Sequence, residues 1–272
     1  MAMAGPNDVL SGFQPGQLIF KTAGPTMVIG RPQSFWAVAG IPGPGSYNSS
    51  LAGSNYSSSS GLVNGQIPHT DPAGGVNSYL ARWQVQTNIT GSICMLCDRI
   101  WDNQLTINST GVQSIGTGWP TRDATGTVNG VGIYAAIEIS AATSATAAAL
   151  TNYTYTNTSG VTSRTGNFVD APTAVSATAG QFYRLGLQSG DIGIKSIDSI
   201  QFSTAWTTGT VNMVAYRPLA ILETSLNFSP NFLDPITSDL PQIWNGVVPF
   251  IIMIPTVTTA TAMFGWYGET QN

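Results

Sequence analysis

Only 8% of the 272 residues are Asp, Glu, Lys or Arg, against roughly 25% in average soluble domains, so the chain has little charge with which to cover a free surface. Its net charge is −4 and its nine basic residues are scattered from Lys21 to Arg217, with no Lys/Arg run to neutralise a phosphate backbone, which argues against direct nucleic-acid binding. Hydrophobic residues (42%) suffice for a sizeable core, while 30 glycines and 16 prolines favour turns and extended segments over long helices.

The start, "MAMAGPNDVLSGF", has neither the basic region nor the apolar stretch of a secretory signal. Residues 1–38 mix short apolar pieces, "QLIFK" and "TMVIG", with Gly and Pro, and read as an extended arm. Residues 40–78 are low-complexity and polar, a segment that buries no core alone and is either mobile or laid along a neighbouring surface. Residues 1–78 are therefore set apart from a domain spanning 79–272.

From Tyr79 the texture changes to short strands punctuated by turns: "YLARWQVQTNI", "SICMLCDRIW", "VNGVGIYAAIEIS", "LTNYTYTNTS", "QFYRLGL", "IKSIDSIQFSTAW" and "TVNMVAYRPLAILE". The alternation is clean in "TVNMVAY" and noisy in "IKSIDSIQ". The alanines of "SAATSATAAALT" (140–151) suit a short helix or a loop at a strand edge, and the loop is preferred. After a proline-bounded connection, "VVPFIIMIP" and "TAMFGWYGE" return to the sheet; the former is too short to span a bilayer. Strands of this length joined by Thr-Gly, Asn-Gly and Ser-Gly-Asp turns predict an all-β fold, an antiparallel β-sandwich of jelly-roll type with an extended N-terminal arm.

Candidate chemistry is sparse. Cys94 and Cys97 form a Cys-x-x-Cys pair, but a structural zinc site wants four ligands and the chain offers only one histidine, His69, besides them. On a strand, residues i and i+3 face opposite ways about 10 Å apart, beyond the roughly 7 Å reach of a disulfide. Two reduced, buried thiols are expected, with no metal and no cofactor. His69 in "IPHTDPAGG" would serve as a base or ligand together with Asp71; without a nucleophile in a recognisable setting, an exposed loop histidine is expected. Asp98, Asp102, Asp123, Glu138, Asp170, Asp191 and Asp198 form no calcium ladder, and "DNQLTIN" and "SGDIG" read as ordinary turns. The seven Asn-x-Ser/Thr sequons follow from the abundance of Ser and Thr. Of the seven tryptophans most belong in the core; Trp36, outside the sandwich strands, anchors the arm to a neighbour or packs on its own sandwich.

The run "YLARWQVQTNITGSICMLCDRIWDNQL", with "GWPTRDATGTVNGVGIYAAIEIS", "LTNYTYTNTSGVTSRTG", "FYRLGLQSGDIGIKSIDSI" and "GTVNMVAYRPLAILE", resembles a group of tailed-bacteriophage virion proteins. The likeness covers about residues 75–270 and is one of texture and order. It implies a non-enzymatic structural component of the virion, made in the host bacterial cytoplasm, and carries over no functional residues. Without the repetitive shaft of a fibre or the long helices of a tail tube or portal, the expected role is a capsid decoration or cement protein. A neck, tail or baseplate component is the alternative, and a glycan-binding or glycan-processing β-sandwich is the rival of another class. The expected partners are the chain's own copies, as a trimer or another ring, and virion proteins such as the major capsid protein, with no membrane. Leu18, Ile19, Phe20, Phe35 and Trp36 are the expected interface anchors.

Overall fold

The computed structural model describes residues 6–22, 24–116, 122–225, 228–234 and 241–272. Trp119, Asn227 and most of "DPITSDLP" lie outside the described residues. The fold is all-β and antiparallel; helix α1 (Pro6–Ser11) and a 3-10 turn at Ser58–Ser60 are the helical pieces among the described residues.

The early strands are β1 (Gln17–Lys21), β2 (Gln33–Ser34), β3 (Ser54–Asn55), β4 (Ser78–Thr87) and β5 (Ser92–Gln104). There follow β6 (Gln113–Ser114), β7 (Tyr134–Ala141), β8 (Ala149–Asn157), β9 (Arg164–Gly166) and β10 (Phe182–Arg184). The last are β11 (Ile194–Thr204), β12 (Thr210–Thr224), β13 (Asn231–Leu233), β14 (Gln242–Ile243), β15 (Pro249–Ile254) and β16 (Met263–Gln271). The alanine-rich stretch 140–151 is the end of β7, a loop and the start of β8, not a helix.

The chain folds into two compact units: residues 1–46, 57–98 and 218–272 in one, 47–56 and 99–217 in the other. The expected boundary at residues 78/79 is not where they divide. In the first unit, β1, β16, β4 and β13 pair in that order, and β5 up to Asp98 pairs with β15, which pairs with β2. Their inner faces share a core that includes Ile19, Phe35, Trp83, Val85, Cys94, Leu96, Ile251, Met253 and Tyr267. In the second unit, β10, β7 and β12 form one sheet and β6, β11, β8 and β9 another, around Ile137, Tyr153, Ile197, Phe202, Trp206 and Met213.

Local chemistry explains the elements. The noisy pattern of β11 resolves into Ile194, Ile197 and Ile200, all fully buried, because register shifts against β8 between Ile194 and Ser196 and between Ile197 and Ser199 reset the inward face. At the Asn-Gly turn, Gly130 adopts φ +84°, and a Cβ there would meet the Ile194 carbonyl oxygen at 1.8 Å, so only glycine fits. In β12, Val211, Met213 and Ala215 face the core, as the alternation predicts. The intervening Asn212 is buried too, because its Nδ2 donates to the Asn48 carbonyl (2.7 Å) of the polar segment 47–56.

Candidate interaction face and its buried anchors

The sheet β1–β16–β4–β13 turns one face to its core and the other to solvent. Strand register builds the outer face row by row. Leu18 stands opposite Trp266, Trp266 opposite Gln84, and Gln84 opposite Phe232. In the next row Phe20 stands opposite Phe264, and Phe264 opposite Gln86. The Phe20 and Phe264 rings meet edge-on at 5.0 Å, Phe228 packs on Phe264 at 5.6 Å, and the Arg82 guanidinium lies 5.5 Å over the Phe232 ring. Leu18 (48% exposed), Trp266 (38%) and Phe20 (38%) thus place large apolar surface in water on neighbouring strands, with Phe232 (50%) beyond Gln84. With strands about 4.8 Å apart, the four-stranded face is roughly 15 Å across. A shallow groove of about 470 Å³ runs over it, lined by Leu18, Arg82, Gln84, Gln86, Phe264 and Trp266.

The outer face of β8 and β11 in the second unit shows the ordinary alternative. There Thr154 Oγ1 meets Ser199 Oγ (2.7 Å) and Thr156 Oγ1 donates to Asp198 (3.1 Å), a solvated polar surface. Against that background this face groups large apolar residues at the surface, with Gln84, Gln86 and Arg82 among them.

The expected anchors separate. Leu18 and Phe20 lie on this face, whereas Ile19, between them, points into the core and is fully buried. Phe35 is buried in the same core. Trp36 packs within its own chain: its ring meets Phe250 edge-on at 6.2 Å and its Nε1 donates to the Ser46 carbonyl. The face residues that the sequence reading passed over are Phe264, Trp266, Phe228, Phe232 and Arg82. "MFGWYGE" did carry a signal for the first two: Phe264 and Trp266 are two apart and share one side of a strand.

Two titratable clusters are internal, around His69 and around Arg99. His69 is buried, not exposed as expected for a loop histidine. Its Nδ1 lies 2.6 and 2.8 Å from the two Glu269 oxygens and its Nε2 lies 2.9 Å from Asp71 Oδ1. Glu269 also accepts from Ser78 Oγ (2.9 Å) and the Tyr267 hydroxyl, and Asp71 from Gly246 N and Ser59 Oγ, both at 2.7 Å. With both ring nitrogens engaged, His69 offers no free base. Burial acts to lower its pKa, but the hydrogen bonds and charges of Glu269 and then Asp71 outweigh it and hold the imidazole above its usual 6.5.

Asp102 lies inside β5 rather than in a turn. Arg99, fully buried, donates from Nη2 to Asp102 Oδ2 and from Nη1 to Glu138 Oε2, each at 2.6 Å. The Tyr47 and Tyr56 rings stack on the guanidinium at 5.7 and 5.4 Å, and their hydroxyls donate to Glu138 and Asp102 at 3.2 Å. Burial acts against the Arg99 charge, but Glu138 and Asp102 outweigh it and raise its pKa. Segment 47–56 is therefore pinned over an ion cluster. Cys94 and Cys97 are free thiols buried in β5, opposite Met253 and Phe250; burial pushes Cys94 up to about 12 and Cys97 well above its ordinary value. Among the described residues no cluster of three or more His, Cys, Asp or Glu is arranged to hold a metal ion.

No family model and no curated protein sequence matches the chain. Among solved structures, matches include the infectious bursal disease virus VP2 subviral particle, 10% identical, covering 95% of this chain and 81% of that one with a TM-score of 0.16. The infectious bursal disease virus Gt strain structure matches at 10% identity, 95% and 82% coverage and a TM-score of 0.17. Superpositions at such scores carry no statement about fold or function.

Proposed function

We propose that the chain is a non-enzymatic structural protein of a tailed-bacteriophage virion, a jelly-roll capsid decoration or cement protein that acts through subunit contacts. The observation that carries this reading is the exposed aromatic face of β1–β16–β4–β13. Covering half-exposed rings removes apolar area from water at roughly 25 cal/mol per Å², and the same patch repeated over a particle makes weak contacts additive through multivalency. Strand order supports the jelly-roll wiring, since sequence-distant strands sit side by side, as β16 does between β1 and β4. The N-terminal arm enters the proposal through Leu18 and Phe20, which meet a neighbouring copy or the major capsid protein. Direct nucleic-acid binding is no part of it: Lys21, Arg99, Arg122 and Arg217 are buried, and Arg164 and Arg184 are paired with Asp191 and Asp170. The protein is made in the host bacterial cytoplasm and resides on the virion.

Gln84, Gln86 and Arg82 among the rings favour one second reading, a glycan platform, since planar amides and a guanidinium beside aromatic faces suit sugar hydroxyls and C–H groups. Sedimentation of the purified protein, a glycan array and imaging of particles separate the readings. Self-association, no sugar binding and density across the shell support the proposal. Density at a few copies near the tail vertex moves the chain to a neck, tail or baseplate role. A sugar-binding monomer moves it to the rival class.

A further inference from the structure

We infer that His69 is a proton-operated clasp: as an imidazolium it links Glu269 of β16 to Asp71, which also accepts from the Gly246 amide, and loss of its proton breaks one of the two links and loosens the segment from Ser59 to Asp71. This goes beyond the assembly role and does not depend on it.

The geometry requires the second proton. A neutral imidazole has one N–H and one lone pair, whereas here each ring nitrogen has a carboxylate oxygen within 2.9 Å. Only the doubly protonated ring donates to both. After deprotonation one N–H remains and keeps one of the two carboxylate contacts, while at the other a nitrogen lone pair faces a carboxylate oxygen at hydrogen-bond distance and the contact turns repulsive. Each carboxylate already accepts other hydrogen bonds, Glu269 from Ser78 and Tyr267, and Asp71 from the Gly246 amide and Ser59. Asp71 is accordingly lowered: burial acts to raise it, but the Gly246 amide, Ser59 and His69 outweigh that.

The charged and titratable groups that face the ring are few. They are Glu269 and Tyr267 from β16 and Asp71 from the segment itself; β4 contributes the Ser78 hydroxyl and the turn at Gly246 a backbone amide. A cavity of about 150 Å³ runs alongside, lined also by Gln14, Pro15, Gln17, Pro68, Thr70 and Gln271, and adds no further charge. It has room for water next to the ring, the path by which the proton leaves. Other ties of the segment are neutral: Ser58 N to the Gly246 carbonyl (3.1 Å), Ile67 N to the Pro249 carbonyl (2.8 Å) and Gln271 Nε2 to the Thr70 carbonyl (2.8 Å). The clasp is the ionic part of the attachment and the part that responds to pH.

The sign follows. The folded pKa of His69 lies above the unfolded value of 6.5, so the clasp contributes fully below about pH 6.5 and is lost as pH rises through the folded pKa. Each unit between the two values is a factor of about ten in the open-to-closed ratio.

The test uses the full chain, with its single histidine observed by proton NMR from pH 5 to 10, and limited proteolysis of wild type and H69Q at pH 6 and 9. The expected result is a His69 midpoint above 6.5, together with cleavage within residues 57–77 that rises about tenfold in wild type relative to H69Q between the two pH values. H69Q supplies the control for the protease's own pH dependence, because Gln cannot titrate. A midpoint at or below 6.5, or the same pH dependence of cleavage in both proteins, overturns the inference. Should H69Q fail to fold, the wild-type midpoint decides alone.

Discussion

Arg99 Nη1 lies 2.6 Å from Glu138 Oε2, and neither side chain reaches solvent. The pair joins β5 to β7 within the second unit, and Tyr47 and Tyr56 close over it. Removing one partner of a buried pair strands the other, so Glu138→Gln is expected to cost about 3–5 kcal/mol in urea unfolding. Replacing Arg99, Asp102 and Glu138 together by apolar residues of similar volume should recover most of that loss. A triple variant no more stable than the single one would show that the cluster does more than balance its own desolvation.

On the outer face, Leu18→Ser with Phe232→Ser removes exposed apolar area without opening the core. Stability should stay within about 0.5 kcal/mol of wild type per site, the range of ordinary surface changes. Sedimentation should show weaker self-association. Ile19→Ser, one residue along the same strand, should instead lose several kcal/mol, because it places a hydroxyl in a fully buried site. Equal effects of the Leu18 and Ile19 changes on stability would contradict the assigned strand faces.

Asp123 organises the loop that follows it, accepting from Thr125 N and Oγ1, Thr127 N and Oγ1, Gly130 N and Val131 N. Asp123→Ala leaves those donors without their acceptor and should cost about 2–4 kcal/mol in thermal or chemical denaturation. Burial acts to raise the pKa of this carboxyl, but the donors from Thr127 and Thr125 outweigh it and bring it to about 2. Its contribution is therefore present above pH 4 and lost as pH falls through 2, a dependence that Asp123→Ala should abolish.

The thiols of Cys94 and Cys97 should not react with a thiol reagent while the protein is folded, since the nucleophile is the thiolate and burial suppresses it. Both should react in denaturant without reductant, with a midpoint that coincides with unfolding followed by fluorescence. Reaction in the native state would place at least one thiol at the surface.

Much of the strand map is legible in the amino-acid sequence. Short apolar or alternating runs bounded by turn residues located β4, β5, β7, β8, β11, β12, β15 and β16, because side-chain direction in a strand and the sterics of positive φ are local properties. The apolar run of "QLIFK" put Leu18, Ile19 and Phe20 together as anchors, without separating Ile19 from the other two. What it did not say is which side faces a core, since that depends on β16 and β4, about 60 to 250 residues away in sequence.

His69 and Asp102 mark where local reading stopped. His69 sits among Pro, Gly and Thr, a setting that reads as exposed, yet its main partner, Glu269, is 200 residues on. Asp102 reads as a turn residue, yet Arg99 and Glu138 draw it into a buried ion cluster beneath a segment that composition describes only as polar. Composition and periodicity by themselves determined an all-β, charge-poor chain with its turns in place. Tertiary structure alone decided which polar groups are buried, because a charge enters a core only where the fold brings its counter-charge, and that pairing has no local signature.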